Sequence, residues 1–179
     1  LPRMEGHRQG VQSLKSVIRW SKARGIRYIT FYAFSKENWR RPDAEIKFLM
    51  QLLSFFARKE RNELIEQGVR LSTIGDFEGL PRWPRVELQK TIDATAKNKD
   101  LFVQLALNYS GRDELVRAIR KMKEASLDWQ QLDEKKLESF LDTAHLPDPD
   151  LVIRTSGELR TSNFLIWQTA YSEFYFAQK

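Results

Sequence analysis

No cysteine occurs in the 179 residues, which excludes disulfides, thiolate nucleophiles and cysteine-ligated zinc together and fits a reducing compartment. Also missing are a GKS or GKT phosphate loop, an HExxH pair, a GxSxG elbow and a GxGxxG fingerprint, so the familiar signatures of P-loop nucleotidases, zinc peptidases, α/β-hydrolases and dinucleotide enzymes are all absent. No stretch approaches the uninterrupted apolar run of about 20 residues that a membrane-spanning helix needs. The opening residues carry no signal-peptide pattern, and the expectation is a soluble, cytoplasmic protein. Internal repeats, low-complexity tracts and linkers are lacking too, and the Pro147–Asp150 run reads as a local turn.

What is present is a basic, well-patterned chain. At 41% hydrophobic it has enough apolar residues for one substantial core, so a single domain over residues 1–179 is expected. Lys and Arg number 30 against 24 Asp and Glu, a net charge of +6 that suits a polyanionic partner. Nucleic acid, an anionic membrane face and a diphosphate would all satisfy that charge, so the positions of the arginines must decide. The aromatic-rich segments are explained first by a core, and no nucleic-acid partner is expected.

Residues 9–24 place Val11, Leu14, Val17, Ile18 and Ser21 on one helical face, with Gly25 at the stop. Ile26 to Phe34 is β-branched and aromatic, as a buried strand is, and runs into the polar stretch SKENWRRPD. A long helix follows Pro42, with Ile46, Leu49, Met50, Leu53 and Phe56 at helical spacing, ending near Gly68. Then come a strand at 69–74, a helix at 83–96, a strand at 101–107, helices at 111–124 and 134–141, and a strand at 151–154. Such alternation implies an α/β fold with a mainly parallel central sheet flanked by helices. Ligands of such sheets gather at the carboxyl ends of strands. The polar loops 35–41 and 155–162 both follow strands and are expected to face one crevice.

Three clusters of residues could carry chemistry. Arg3 and His7 precede the first expected helix, where helix-end N–H groups and cations can hold phosphate; a cap or a solvated surface explains them as well. Ser35, Asn38 and Arg41 put a hydroxyl, an amide and a guanidinium on one short loop, against the reading of a self-stabilised turn. Arg154, Arg160 and Ser162 suit a diphosphate, because guanidinium forks grip phosphate oxygens. Glu173 could ligate magnesium through carboxylate oxygen or be an ordinary ion-pair partner.

The segments GHRQGV, YAFSKENWRRP, LALNYSGRDELVRA, LPDPDLVIRTSGELRTSNFLIWQ and AYSEFYF, in this order and across nearly the whole chain, resemble the cis-prenyltransferase family, in particular bacterial undecaprenyl diphosphate synthases. The resemblance implies a transferase that extends an allylic diphosphate, such as farnesyl diphosphate, by isopentenyl diphosphate units, each new double bond being cis. It implies a long-chain product, undecaprenyl diphosphate, for the lipid carrier of cell-wall synthesis. By position, Arg3, His7 and Arg41 then serve the allylic diphosphate, with His7, Ser35 and Asn38 catalytic and Trp39 among the substrate-binding residues. Arg154, Arg160 and Ser162 grip isopentenyl diphosphate, and Glu173 is the carboxylate associated with Mg2+. The growing chain occupies an apolar tunnel for which Ala33, Val69 and Leu101 are the lining candidates, although plain core packing fits their pattern equally.

A homodimer is implied as well, with a product handed to the membrane from the cytoplasmic face. The family pattern opens with a strand and a MDGNGRWA-like segment whose aspartate binds magnesium. This sequence opens at LPR, past the place of that segment, and lacks the tryptophan-containing stretch after YF. The expectation is a piece of a longer enzyme that is a poor catalyst by itself. Ser110 stands where glycine is common in the family and Lys36 where a small polar residue is. A non-catalytic subunit of a cis-prenyltransferase complex is the alternative.

Overall fold

The computed structural model describes residues 3–155 and 157–178, with the side chains of residues 3–5, 7, 8 and 11 left undescribed. The elements run α1 (Arg3–Ala23), β1 (Tyr28–Ser35), a 3-10 helix (Lys36–Arg40), α2 (Asp43–Glu66), β2 (Val69–Ile74), α3 (Arg82–Thr95), β3 (Leu101–Tyr109) and α4 (Gly111–Glu124). A second 3-10 turn (Trp129–Gln131), α5 (Glu134–Glu138), β4 (Leu151–Arg154) and β5 (Glu173–Phe176) complete the described chain. Contacts divide it into two compact units, residues 1–108 and 109–179.

In the first unit the strand order is β1-β3-β2. β2 and β3 run parallel, with Val69 opposite Leu101 and Ile74 opposite Ala106, so α3 is the crossover that a parallel pair requires. β3 is nearly all apolar because it is buried along its length. The core gathers Ile18 from α1, Phe34 from β1, Met50, Ala57 and Leu64 from α2, and Val69, Leu71, Val103, Leu105 and Leu107 from the strands. Two buried threonines join α3 to its neighbours. Thr91 donates to the Ala57 carbonyl at 2.8 Å, and Thr95 accepts from the Leu71 N–H at 3.1 Å. Thr95 thereby gives the Leu71 N–H an acceptor inside the core, and Thr91 adds a second donor to a helical carbonyl.

Helix α1 begins at Arg3, earlier than the expected start at Gln9. Arg3 and His7 thus belong to the helix instead of preceding it, and His7 lies inside its second turn. A helical glycine costs about 1 kcal/mol relative to alanine, and good helix formers around Gly6 and Gly10 offset that. The buried stripe is narrow: Ile18 and Ser21 are buried and Leu14 packs on the core, while Val17 is exposed. α1 is bound to α2 by charge. Arg19 donates to Glu63 at 3.0 and 2.7 Å, and Lys15 meets the buried Glu60 at 2.7 Å.

In the second unit β4 and β5 form a parallel pair, Leu151 opposite Glu173 and Arg154 opposite Phe176. Its organising group is the buried Glu114 of α4. That carboxylate accepts from the Tyr109 hydroxyl at 2.6 Å, the Asp142 N–H at 3.0 Å and the Gln168 amide at 3.1 Å. Burial, reinforced by Glu114, holds the Tyr109 phenol well above its ordinary range. One turn further, Arg117 forks onto Asp142 at 2.8 and 2.6 Å. α5 ends at Glu138, short of the expected Leu141, because the chain turns there to place Leu141 in the core and Asp142 on Glu114. Among the described residues no helix is long and apolar enough to cross a membrane.

Two predictions follow from these anchors. The Arg19 hydrogen bond, opposed by burial and helped by Lys15, holds the Glu63 carboxyl below its ordinary 4.5. A depressed carboxylate contributes its stability above the unfolded value and loses it as pH falls through the folded one. Denaturant titrations should therefore show Glu63→Gln losing less stability than the parent as pH drops below 4.5; parallel curves would remove Glu63 from the account. Tyr109→Phe leaves a buried carboxylate short of a donor and should cost about 1–3 kcal/mol by urea unfolding.

Candidate active site

Both polar loops after strands have defined geometry. β1 delivers Ser35 in extended conformation directly into the 3-10 helix. The Asn38 amide oxygen accepts from the Ser35 N–H at 3.1 Å, and the return contact from the Ser35 side chain to the Asn38 backbone closes a capping box. The notch that holds Ser35 and Asn38 is thereby built from the two candidates themselves. Arg41 ends the turn, its N–H on the Asn38 carbonyl at 3.0 Å and its guanidinium on the largely buried Glu45 at 2.5 Å. Trp39 packs edge-on against Phe34, 5.0 Å between centroids, and its indole N–H donates to Asn108 at 2.7 Å.

Tyr32, which sequence reasoning passed over, shares this corner. Burial pushes its phenol up to about 12, Glu37 adds to the shift, and a hydrogen bond with Ser35 opposes it. Its signal was hidden in the aromatic run of β1, where a core role is the first explanation.

In the second unit, Arg154 closes β4 and turns its guanidinium onto the loop that follows. Nη1 donates to the Ser162 hydroxyl at 2.7 Å and to the Arg160 carbonyl at 2.5 Å. Arg160 reaches outward, 66% exposed, to Glu158 at 2.5 Å. An exposed pair of this kind is worth at most about 1 kcal/mol. The loop is held by backbone that ordinary residues seldom adopt: φ is 50° at Ser162, 62° at Asn163 and 45° at Leu165. Asn163 repays that strain by capping α4, its carbonyl on the Gly111 N–H at 2.8 Å and its side-chain oxygen on the Arg112 N–H at 3.0 Å. Gly111 permits the approach, since a Cβ there would lie 2.8 Å from Ile166 and 3.1 Å from the Asn163 carbonyl.

Arg154, Arg160 and Ser162 are thus brought together. Glu173 is not with them: it starts β5 opposite Leu151, about 10 Å along the ladder from Arg154 at the usual rise per residue. It is exposed, and among the described residues no group of three His, Cys, Asp or Glu side chains could hold a metal. One carboxylate suits a hydrated magnesium ion that takes its other ligands from phosphate and water, and does not suit a metal caged by protein. Val69 and Leu101 are fully buried partners at the start of β2 and β3, whereas Ala33 is exposed. The side chains of Arg3 and His7 lie outside the described residues.

The arginine loop can be tested by itself. In the natural full-length protein, Arg154→Lys keeps the charge but loses the fork, and inorganic pyrophosphate binding should weaken roughly tenfold by calorimetry. Unchanged binding would place the anion elsewhere.

Comparison with known proteins gives a consistent answer. The family model described as "Putative undecaprenyl diphosphate synthase" matches residues 1–179. An isoprenyl transferase of Clostridium tetani is 47% identical over 99% of this chain and 71% of its own length; one from Heliobacterium mobile is 48% identical over 98% and 69%. Among solved structures, lavandulyl diphosphate synthase from Lavandula x intermedia, in complex with dimethylallyl diphosphate, superposes with a TM-score of 0.94 at 35% identity, covering 98% of this chain and 78% of that one. A probable undecaprenyl diphosphate synthase from Campylobacter jejuni gives 0.86 at 34% identity, covering 96% and 80%. With a family match along its whole length and relatives nearly half identical to it, the chain belongs to the undecaprenyl diphosphate synthase family of isoprenyl transferases.

Proposed function

We propose that this isoprenyl transferase is a chain-elongating cis-prenyltransferase, condensing isopentenyl diphosphate units onto farnesyl diphosphate to make undecaprenyl diphosphate for the cell-wall lipid carrier. The observation that carries the reading is the Arg154 guanidinium tied to Ser162 and to the Arg160 carbonyl, a fork set for a diphosphate where a strand ends. The loop of Ser35, Asn38 and Arg41 takes the allylic diphosphate, with Arg3, His7 and Trp39. The loop of Arg154, Arg160 and Ser162 takes isopentenyl diphosphate.

In the reaction the allylic C–O bond breaks and diphosphate leaves with the electron pair. The isopentenyl double bond supplies the electrons of the new C–C bond, and loss of a proton from the adjacent carbon forms the new cis double bond. Charge develops on the departing diphosphate, so fixed cations and donors lower the barrier by meeting that charge as it appears. Arg41 and Asn38 act there, and Ser35 keeps Asn38 in place. Arg154 and Arg160 orient the second substrate, turning a bimolecular encounter into an aligned one. Glu173 is the carboxylate that would hold Mg2+, and the ion would supply neutralisation of diphosphate charge. Ala33, Val69 and Leu101 lie toward the growing apolar chain. The enzyme works as a homodimer in the cytoplasm and passes its product to the inner membrane face.

The alternative is a non-catalytic subunit of the same family. Retention of Ser35, Asn38, Arg154, Arg160 and Ser162 speaks for the enzyme, since a subunit with no substrate has no use for them. The experiment is incorporation of labelled isopentenyl diphosphate onto farnesyl diphosphate, with magnesium, by the natural full-length protein. Elongated products are expected; none, at any primer length, would favour the subunit. Arg160→Ala should raise KM for isopentenyl diphosphate roughly 10- to 100-fold with the melting temperature preserved; a variant that mainly melts earlier would make Arg160 structural.

A further inference from the structure

Beyond the loops lies a buried junction that none of this chemistry uses directly. Asn108, 4% exposed, ends the first unit's share of β3 with φ at 47°, a left-handed conformation that asparagine tolerates better than most residues. Its side chain faces two elements. Oδ1 accepts from the Trp39 indole at 2.7 Å, and Nδ2 donates to the Asp76 carbonyl at 3.0 Å and carboxylate at 3.2 Å. Asp76 returns its N–H to the Asn108 carbonyl at 3.3 Å. It also accepts from the Gly79 N–H at 3.1 Å and stands 3.8 Å from Lys36.

The orientation of the amide is dictated. An indole nitrogen only donates and a carboxylate only accepts, so oxygen must face Trp39 and nitrogen must face Asp76. Aspartate at 108 would set two carboxylates together, and leucine would take the acceptor from the Trp39 indole and one donor from Asp76. Gly79 guards the arrangement, since a Cβ there would lie 2.6 Å from both Asn108 Nδ2 and the Asp76 carboxylate.

We propose that Asn108, supported by Asp76, is a positioning residue for the allylic-diphosphate loop: it holds Trp39, and through Trp39 the 3-10 helix that presents Asn38 and Arg41. This rests on the reading of that loop given above. Trp39 sits between the two substrate-facing residues, and Lys36 at the helix start is drawn to the same Asp76. The short helix is therefore tied to the ends of β2 and β3 by side chains at two of its five residues. A displacement of about 1 Å at such a loop is enough to lose two orders of magnitude in rate.

The test uses the natural full-length protein. Asn108→Gly removes the side chain while suiting the positive φ, and Trp39→Phe removes the indole N–H while keeping a ring beside Phe34. Each should raise KM for farnesyl diphosphate, or lower kcat, roughly 10- to 100-fold, with KM for isopentenyl diphosphate unchanged. The double variant should be no worse than either single one, because both cut the same bond. Independently of activity, the Trp39 indole N–H resonance should lose its protection from solvent exchange in Asn108→Gly. Additive effects, equal effects on both substrates, or an unmoved resonance would overturn the assignment. If the resonance responds but the parent protein elongates nothing, the tie to the loop stands, while its role in this reaction and the elongation reading fall together.

Discussion

A strand buried on both sides can carry a polar atom only where the fold supplies a partner, and β3 is the strand on which everything else rests. Apart from Gln104, its residues with polar side-chain atoms are the last two. At its end Asn108 is satisfied by Trp39 and Asp76, and Tyr109 by Glu114. Two adjacent residues of one strand thus send hydrogen bonds into two different compact units. Gln104 is the exception, with a side-chain oxygen that is buried without a hydrogen bond among the described residues. The strand tolerates one such atom because its neighbours on the sheet are packed and paired.

The two polar loops repeat this economy on a smaller scale. Each uses a short polar side chain to close on backbone, Asn38 onto the nearby Ser35 in one and Asn163 onto the distant start of α4 in the other. The guanidinium groups stay at the periphery, where partial solvation keeps their charge inexpensive. The amides fix the backbone, and the arginines carry the charge.

Much of this was legible in the residues. Val69–Ile74 and Gly111–Glu124 were read to the residue, because β-branched content and Gly-Asp punctuation mark one and a strong amphipathic period the other. The cluster of Arg154, Arg160 and Ser162 was legible because it is local in sequence. Its closure by Asn163 was not, since that depends on where α4 begins. Asp76 and Asn108 stand 32 residues apart, and only the register of β2 on β3 brings them together, so no pattern in the sequence could mark them. The start of α1 was misplaced for the opposite reason: the apolar spacing begins only at Val11, while the helix begins at Arg3. Glu173 was legible as a carboxylate that could hold magnesium, but its place was not: the parallel pairing of β5 on β4 sets it at the far end of the ladder from Arg154.

The run of left-handed residues at Ser162, Asn163 and Leu165 bears on how this segment can change over generations. Where φ is positive, a β-branched side chain meets its own backbone, so valine, isoleucine and threonine are barred at these positions whatever chemistry the loop performs. Drift there is channelled toward asparagine, glycine and a few unbranched residues. A lineage that shifts its substrate would be free to exchange the exposed arm at Arg160 long before it could rebuild the turn that carries it.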